Sequence, residues 1–508
     1  MANYLAPGVY VEEVSGGARP IEGVGTAVAG FVGFTEKGPV SEPTLVTNWT
    51  QYTTIFGGFV DNAYLPNAMY GYFLNGGGSA YVMRLPDGRD EDTPRITRAA
   101  IPAAGDDQRA AFTLRTLKAA GADDITVSVA EASQPGEDVF RVDVLRGGKV
   151  EESFDNVTTK KGPNNVATVI SRGSKLVELE DAKSATLVAP KKDAVVPFAT
   201  SLPVPSQLSA ESYVGDPLAR TGLGGFEAIV EITMIAAPDL MSAYQRGVID
   251  AEMVKAVQLA MIAHCERMAD RVAILDTPPG LNSQQVRDWR IEFAGYDSKF
   301  ATLYWPWVQV MDTNTSQKIS LPPSAHMAGV WARNDATRGV HKAPANEPVR
   351  GVVSLQTVIS RSEQELLNPI GVNCLRAFPG QGIRVWGART LSSDPEWRYI
   401  NVRRLFNYIE ESILGGTNWV VFEPNDEYLW ENVRRVVSAF LHRVWRTGAL
   451  LGRSAAEAYF VKCDAENNPA DLRDSGHLVV EIGVAPVKPA EFVVFRISQL
   501  PQGAALEE

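Results

Sequence analysis

Cysteine is nearly absent from this chain: Cys265, Cys374 and Cys463 are the only three in 508 residues. Odd in number and far apart, they give no disulfide framework, and a reducing compartment during folding fits best. Histidine is also scarce, with five in all (His264, His326, His341, His442, His477). None forms a His-x-x-x-His pair or an H-E-x-x-H motif, and no C-x-x-C occurs, so a metal site has no sequence support. There is no G-x-x-x-x-G-K-[ST] phosphate loop and no G-x-S-x-G elbow. No run of about 18 apolar residues exists, and the long charge-free stretch from Asn62 to Met83 is broken by Asn, Gly, Pro and Tyr. The opening residues, Met1 to Gly8, lack the basic and apolar segments of a secretion signal. The expectation is a soluble protein made in the cytoplasm.

What is present is ordinary globular composition, 45% hydrophobic and 21% charged, in a chain long enough for three domains at roughly 150 residues each. The formal net charge of -12 argues against bulk, phosphate-driven binding of nucleic acid but leaves local basic faces possible.

Both ends carry a short strand with little beside it. Val9-Tyr10-Val11-Glu12-Glu13-Val14 follows Pro7-Gly8 and precedes a Ser15-Gly16-Gly17 tether. Glu491 to Ser498, with Phe492, Val493, Val494 and Phe495, is nearly all apolar and must be covered by something. The residues alone leave open whether these strands pair within their own chain or elsewhere.

Between the ends, a strand over Thr26–Phe34, two short helical stretches and a strand over Ala80–Leu85 open a core. Residues 89–205 are richer in charge and turn residues, with short β-type runs at Ile125–Val129 and Phe140–Val144, and read as a separate β-rich insertion. From about Phe226 an α/β rhythm follows: a strand over Ile229–Ala236, then a helix with Val254, Val257, Met261, Cys265 and Met268 on one face. Val272–Leu275 is a buried-type strand. Asn282 or Ser283 caps a helix running to about Phe293, and Phe300–Val310 is a further strand. Such alternation implies a mostly parallel sheet with helices on its faces. The last segment is α+β: apolar stripes at Val402, Leu405, Phe406, Ile409 and Ile413 and at Leu429, Val433, Val436, Val437, Phe440, Leu441 and Val444 precede strands over Ala458–Cys463 and Leu478–Val484.

The fold class is therefore multidomain α/β and α+β with extended terminal arms. The expected layout is an arm over 1–20, a discontinuous α/β core over 21–88 and 206–388, and the insertion over 89–205. An α+β domain over 389–488 and an arm over 489–508 complete it.

The search for catalysis comes back empty. The run Gly222-Leu223-Gly224-Gly225-Phe226-Glu227 has Glu where a dinucleotide fingerprint needs a third glycine and precedes its strand, so it reads as a loop. In His264-Cys265, Cys265 falls on the apolar stripe and reads as a buried structural thiol. Asp276, just after a buried strand, is the best single catalytic candidate, because ligands favour strand C-termini in α/β sheets. It has no base, metal or nucleophile beside it in the sequence. An α/β hydrolase-like enzyme using Asp276 is the alternative, and a non-enzyme without cofactors or metals is the main reading. In the second C-terminal helix, Arg435, His442 and Arg446 share a narrow wedge opposite the apolar stripe, and Glu431 can pair with Arg435 at i,i+4. On an acidic chain, this basic stripe is a candidate docking face for an acidic partner.

Several long motifs occur in order. They are Tyr304-Trp305-Pro306-Trp307-Val308, Pro322-Pro323-Ser324-Ala325-His326-Met327-Ala328-Gly329, Lys342-Ala343-Pro344-Ala345-Asn346 and Leu367-Asn368-Pro369. Phe378-Pro379-Gly380-Gln381-Gly382-Ile383, Val385-Trp386-Gly387-Ala388-Arg389-Thr390-Leu391 and the run from Asp394-Pro395-Glu396-Trp397 to Leu405 continue the series. With the opening Tyr4 to Glu13, they resemble the tail sheath proteins of contractile phage tails and related injection systems, over about residues 1–85 and 210–500. Residues 90–205 are not matched; outer insertions of this family vary in size.

The resemblance implies a structural subunit that stacks as hexameric rings around an inner tube and contracts. It implies strand exchange between copies through Val9, Tyr10 and Val11 at one end and Phe492, Val493, Val494 and Phe495 at the other, which favours exchange over pairing within the chain. The implied partners are further copies, an inner tube protein, and baseplate and tail-terminator or cap proteins, with no nucleic acid and no direct membrane insertion. Arg435, His442 and Arg446 become the candidate tube contact. The implied setting is the cytoplasm of the producing bacterium during assembly, within a phage tail or phage-like particle.

Overall fold

A computed structural model describes residues 20–60, 63–86, 97–117, 125–134, 136, 138–180, 187–200, 208–312 and 317–494. By their contacts, the residues fall into two compact units. The larger comprises Gly25–Thr337 and Pro344–Arg398; the smaller comprises Met1–Val24, Arg338–Ala343 and Tyr399–Glu508.

The larger unit is built on an eight-stranded sheet. Its strands are β1 (Val28–Gly33), β2 (Pro43–Val46), β3 (Ser79–Arg84), β4 (Met234–Ala236), β5 (Val272–Asp276), β6 (Ala301–Trp305), β7 (Val372–Phe378) and β8 (Gly382–Val385). They lie in the order β8-β7-β6-β5-β4-β1-β3-β2. The six central strands run parallel, and only the two edges, β8 and β2, pair antiparallel. The run Val272-Ala273-Ile274-Leu275-Asp276 is buried throughout, as the apolar composition of a strand covered on both faces requires. Helices α1 (Trp49–Phe56), α2 (Leu65–Asn75), α3 (Ala251–Met268), α4 (Ser283–Asp288) and, up to Thr337, α5 (Ser324–Arg338) belong to this unit. Val254, Val257, Met261 and Cys265 of α3 are buried as the spacing predicts, with Met268 half-buried. Asn282 is the cap of α4: it accepts from the Gln285 amide at 2.9 Å, and the Gln285 side chain accepts from the Asn282 amide.

Three expectations need correction. The strand expected over Ile229–Ala236 is confined to Met234–Ala236, with turns before it. The strand expected over Phe300–Val310 divides at Pro306, which has no N–H to give a ladder. Val308–Met311 instead pairs with Lys318–Leu321 and Val352–Leu355 in a separate three-stranded sheet. Gly222–Phe226 is a buried 3-10 turn instead of a loop.

Residues 97–200 form two antiparallel four-stranded sheets. One holds Val195–Pro197, Ile125–Glu131, Val139–Arg146 and Lys149–Thr158; the other holds Ala199–Thr200, Thr97–Ala103, Asp106–Thr116 and Val177–Leu179. They enclose their own core, including Ile101, Phe112, Leu114, Val127, Phe140 and Val142. The first and last strands are partners, Thr97 opposite Thr200.

In the smaller unit, α6 (Ile400–Gly416) and α7 (Glu427–Arg446) pack with β9 (Tyr459–Lys462) and β10 (Glu481–Val484). All seven apolar-stripe residues of α7 are buried; of the α6 stripe, Val402, Leu405 and Ile409 are buried and Phe406 and Ile413 half-buried. Asp426 caps α7, accepting from the Leu429 amide at 2.9 Å. β9 and β10 are an antiparallel pair, Tyr459 opposite Val484 and Lys462 opposite Glu481.

Candidate interaction surfaces

The place where an α/β enzyme would hold its ligand is filled by the protein's own caps. The strand order reverses between β1 and β4, the switch point at which such sheets bind ligands. There the buried carboxylate of Asp239 accepts from the backbone N–H of Phe34 at 2.7 Å, of Leu65 at 3.2 Å, and of Tyr64. It thus serves the N-terminus of α2. Burial outweighs those donors and pushes its carboxyl up to about 6.

Asp276, the catalytic candidate, is spent in the same way on α5. Its two oxygens accept from the Ser324 amide at 2.9 Å and the Ser324 hydroxyl at 2.6 Å, and burial pushes its carboxyl up to about 7. Its backbone carbonyl accepts from the Gln258 side chain at 2.7 Å.

His264 and Cys265 are both buried, and burial holds the imidazole down to about 3 and the thiol well above its usual range. Neither is a poised acid, base or nucleophile at neutral pH. Close by, the fully buried Arg271 forks onto Asp270 at 2.6 and 2.9 Å and donates to the carbonyls of Phe226 and Ile229, which ties the glycine-rich turn to β5. Asp239 and Arg271 were not legible as special in the sequence; the one available signal is a carboxylate directly after Pro238 at a strand end.

The surface of the smaller unit is different. Arg435, His442 and Arg446 are all exposed on α7, opposite its buried stripe. Arg435 donates to the Asn432 side chain at 2.8 Å, and the His442 ring lies 5.2 Å from that of Trp445. The expected Glu431–Arg435 pair is replaced: Glu431 faces Arg434, 3.9 Å away at i,i+3. Arg435 also lines a groove of about 450 Å³ with Tyr428, Glu431, Asn432, Arg434 and Ser438 of α7 and Val461 of β9. The structure therefore brings Arg435 to a groove shared with β9.

Of the arm residues, Val9, Tyr10, Val11 and Phe495 lie outside the described residues. Phe492, Val493 and Val494 are 75%, 68% and 75% exposed, and residues 491–494 lie in no strand. The Tyr399 hydroxyl donates to the Glu491 carboxylate at 2.9 Å. Three consecutive large apolar side chains facing water are costly unless another surface covers them. Among the described residues no helix is long and apolar enough to cross a membrane.

Comparison with known proteins agrees with this distribution of features. Residues 223–391 match the model of the phage tail sheath protein central domain and residues 392–499 that of the phage tail sheath C-terminal domain. Together these span more than half of the chain. The tail sheath protein of Burkholderia phage BcepMu is 26% identical over an alignment covering 97% of this chain and 96% of its own length. A prophage protein of Pseudomonas aeruginosa is 28% identical over 254 residues, and the chain spans 62% of its length. The helical sheath of the anti-feeding prophage in its contracted state superposes with a TM-score of 0.60 at 25% identity, covering 97% of this chain and 99% of that one. With both family domains in sequence and a full-length relative of the same kind, the chain belongs to the contractile phage tail sheath protein family.

Proposed function

We propose that this protein is the structural subunit of a contractile sheath. Copies polymerise as stacked hexameric rings around an inner tube, and shortening of the sheath drives the tube through a target envelope. The observation that carries the reading is the full-length likeness to a phage tail sheath protein and to a helical sheath solved in its contracted state.

Local features support the finer points. A two-stranded sheet is marginal by itself, and among the described residues β9 and β10 form a sheet of only two strands. Val9–Val11 of one neighbour and Phe492–Phe495 of another are the strands that would complete it, through main-chain hydrogen bonds with register set by alternating side chains. The exposure of Phe492, Val493 and Val494 fits that role. The domain layout follows: arms at 1–20 and 489–508, the parallel-sheet core over 21–88 and 206–388, an outward insertion over 89–205, and the 389–488 domain toward the tube. The exposed Arg435, His442 and Arg446 are the proposed contact with an acidic tube surface, and a baseplate and terminator bound the polymer at its ends. Assembly takes place in the cytoplasm of the producing bacterium. The hydrolase alternative is not favoured, because the Asp276 carboxylate is occupied at the cap of α5.

Negative-stain electron microscopy of the concentrated protein tests the reading. Hollow, striated tubes of uniform width are expected, in the contracted form that needs no tube. A protein that stays a discrete particle alone and also with its cognate tube protein would overturn it.

A further inference from the structure

Residues 20–24 make a set of contacts out of proportion to their length. Ile21 is completely buried in the core of the smaller unit, among residues that include Leu405 and Ile409 of α6 and Leu429, Val433 and Phe440 of α7. Its carbonyl accepts from the Arg443 guanidinium. The Val24 amide donates to the Ser412 hydroxyl oxygen at 3.1 Å, while that hydroxyl donates to the Tyr408 carbonyl at 2.6 Å. Two glycines make the fit possible. A Cβ on Gly416 would stand 2.6 Å from Ile21 Cγ1, and one on Gly23 would stand 2.1 Å from Tyr408 Oη. The smaller unit's first stretch ends at Val24, and β1, a central strand of the other unit's sheet, begins only four residues later at Val28.

We propose that residues 20–24 are a strap that bolts the root of the N-terminal arm to α6 and α7, with Ile21, Gly23, Gly416 and Arg443 as its positioning residues. The inference rests on the arm-exchange reading above. A neighbour that holds residues 9–11 pulls on residue 20. With the strap closed, that tension ends in the α6–α7 pair, on the same unit as the β9–β10 sheet. With the strap open, the tension passes to residues 25–27 and peels β1 from the start of its ladder. A side chain anchored in a core resists such local opening far better than an exposed tether.

Hydrogen exchange and electron microscopy of the full chain test this, using Arg443→Ala, Arg443→Lys, Ile21→Ala and Gly416→Val. In the parent protein the Val24 amide should be protected. Arg443→Ala, an exposed change that leaves the core intact, should accelerate its exchange about tenfold, the factor that corresponds to the loss of one good hydrogen bond. Arg443→Lys should restore part of the protection. Ile21→Ala and Gly416→Val should accelerate it further. Polymers of the released variants should be shorter and should break on contraction, while the melting temperature of the larger unit is unchanged. An unprotected Val24 amide in the parent, or released variants whose polymers match the parent in length and survival, overturns the strap. Deletion of residues 1–14 separates the two ideas: if it leaves polymers normal, the arm-exchange reading fails; if it abolishes them while the released variants assemble normally, only the strap fails.

Discussion

The carboxylate of Asp276 sits on Ser324 with one oxygen on the amide and the other on the hydroxyl, at 2.9 and 2.6 Å. It joins the end of a central strand to the start of α5 across 48 residues. Burial keeps this carboxyl protonated to about pH 7, whereas in the unfolded chain an aspartate titrates near ~4. Between those limits the folded state holds a proton that the unfolded state has lost, so this group's contribution to stability falls as pH rises from about 4 to about 7. His326 and His264, held down to about 4 and 3, act in the opposite direction as pH falls below about 6.5. The difference between parent and Asp276→Asn isolates the carboxyl: it should be larger at pH 5 than at pH 8. Urea unfolding at the two pH values measures it, and a difference independent of pH would remove the buried proton.

Asp239, fully buried, serves three backbone donors: Phe34 just after β1, and Tyr64 and Leu65 at the start of α2. Asp239→Ala should cost about 2–4 kcal/mol, more than an exposed cap, because the amides of Phe34, Tyr64 and Leu65 are left without acceptors. Asp239→Asn keeps an acceptor and should cost less. Chemical denaturation of the two variants ranks them.

Charge reversal at Arg435 and Arg446 tests the tube contact. Both side chains are exposed, so the double Glu variant should melt within a degree or two of the parent. It should still form contracted-type polymers alone but fail to assemble on the tube protein. Co-sedimentation with preformed tubes reads the result, and undiminished co-assembly would remove these residues from the interface.

The insertion should be removable. Thr97 and Thr200 are cross-strand partners, so the two ends of the insertion lie side by side, and the sheets between them have their own core. Replacing residues 97–200 by a short Gly/Ser linker should leave the eight-stranded sheet folded, as judged by the protection of the β5 and β6 amides. Loss of that protection would show that the insertion is part of the core's stability.

How much of this was legible in the sequence follows from the kind of signal each element carries. The helical stripes of α3, α6 and α7 were readable because a long 3.6-residue period is hard to imitate, and Val433, Val437 and Phe440 are buried as it requires. The strand over Ile229–Ala236 was overextended because Ile229 and Val230 look β-prone, yet Val230 is 67% exposed in a turn. Pro306 should have warned against one strand from Phe300 to Val310. The roles of Asp239, Asp276 and Arg443 depend on partners tens to hundreds of residues away, and no local pattern encodes such a distance. The long motifs that resemble sheath proteins carried the family where periodicity could not.

The burial of Ile21 beneath α7 also sets an order of events. Ile21 and Arg443 are 422 residues apart. At 5–20 residues per second, the ribosome needs roughly 20–85 s to supply the second after the first. During that interval the larger unit's sheet can form, but the arm's root has no seat, and neither β9 nor β10 exists to receive a strand. If the strap anchors the arm as proposed, a chain able to give its arm firmly has therefore already made α7. On the arm-exchange proposal, nascent copies on one message would be kept from linking firmly to each other until α7 has been made.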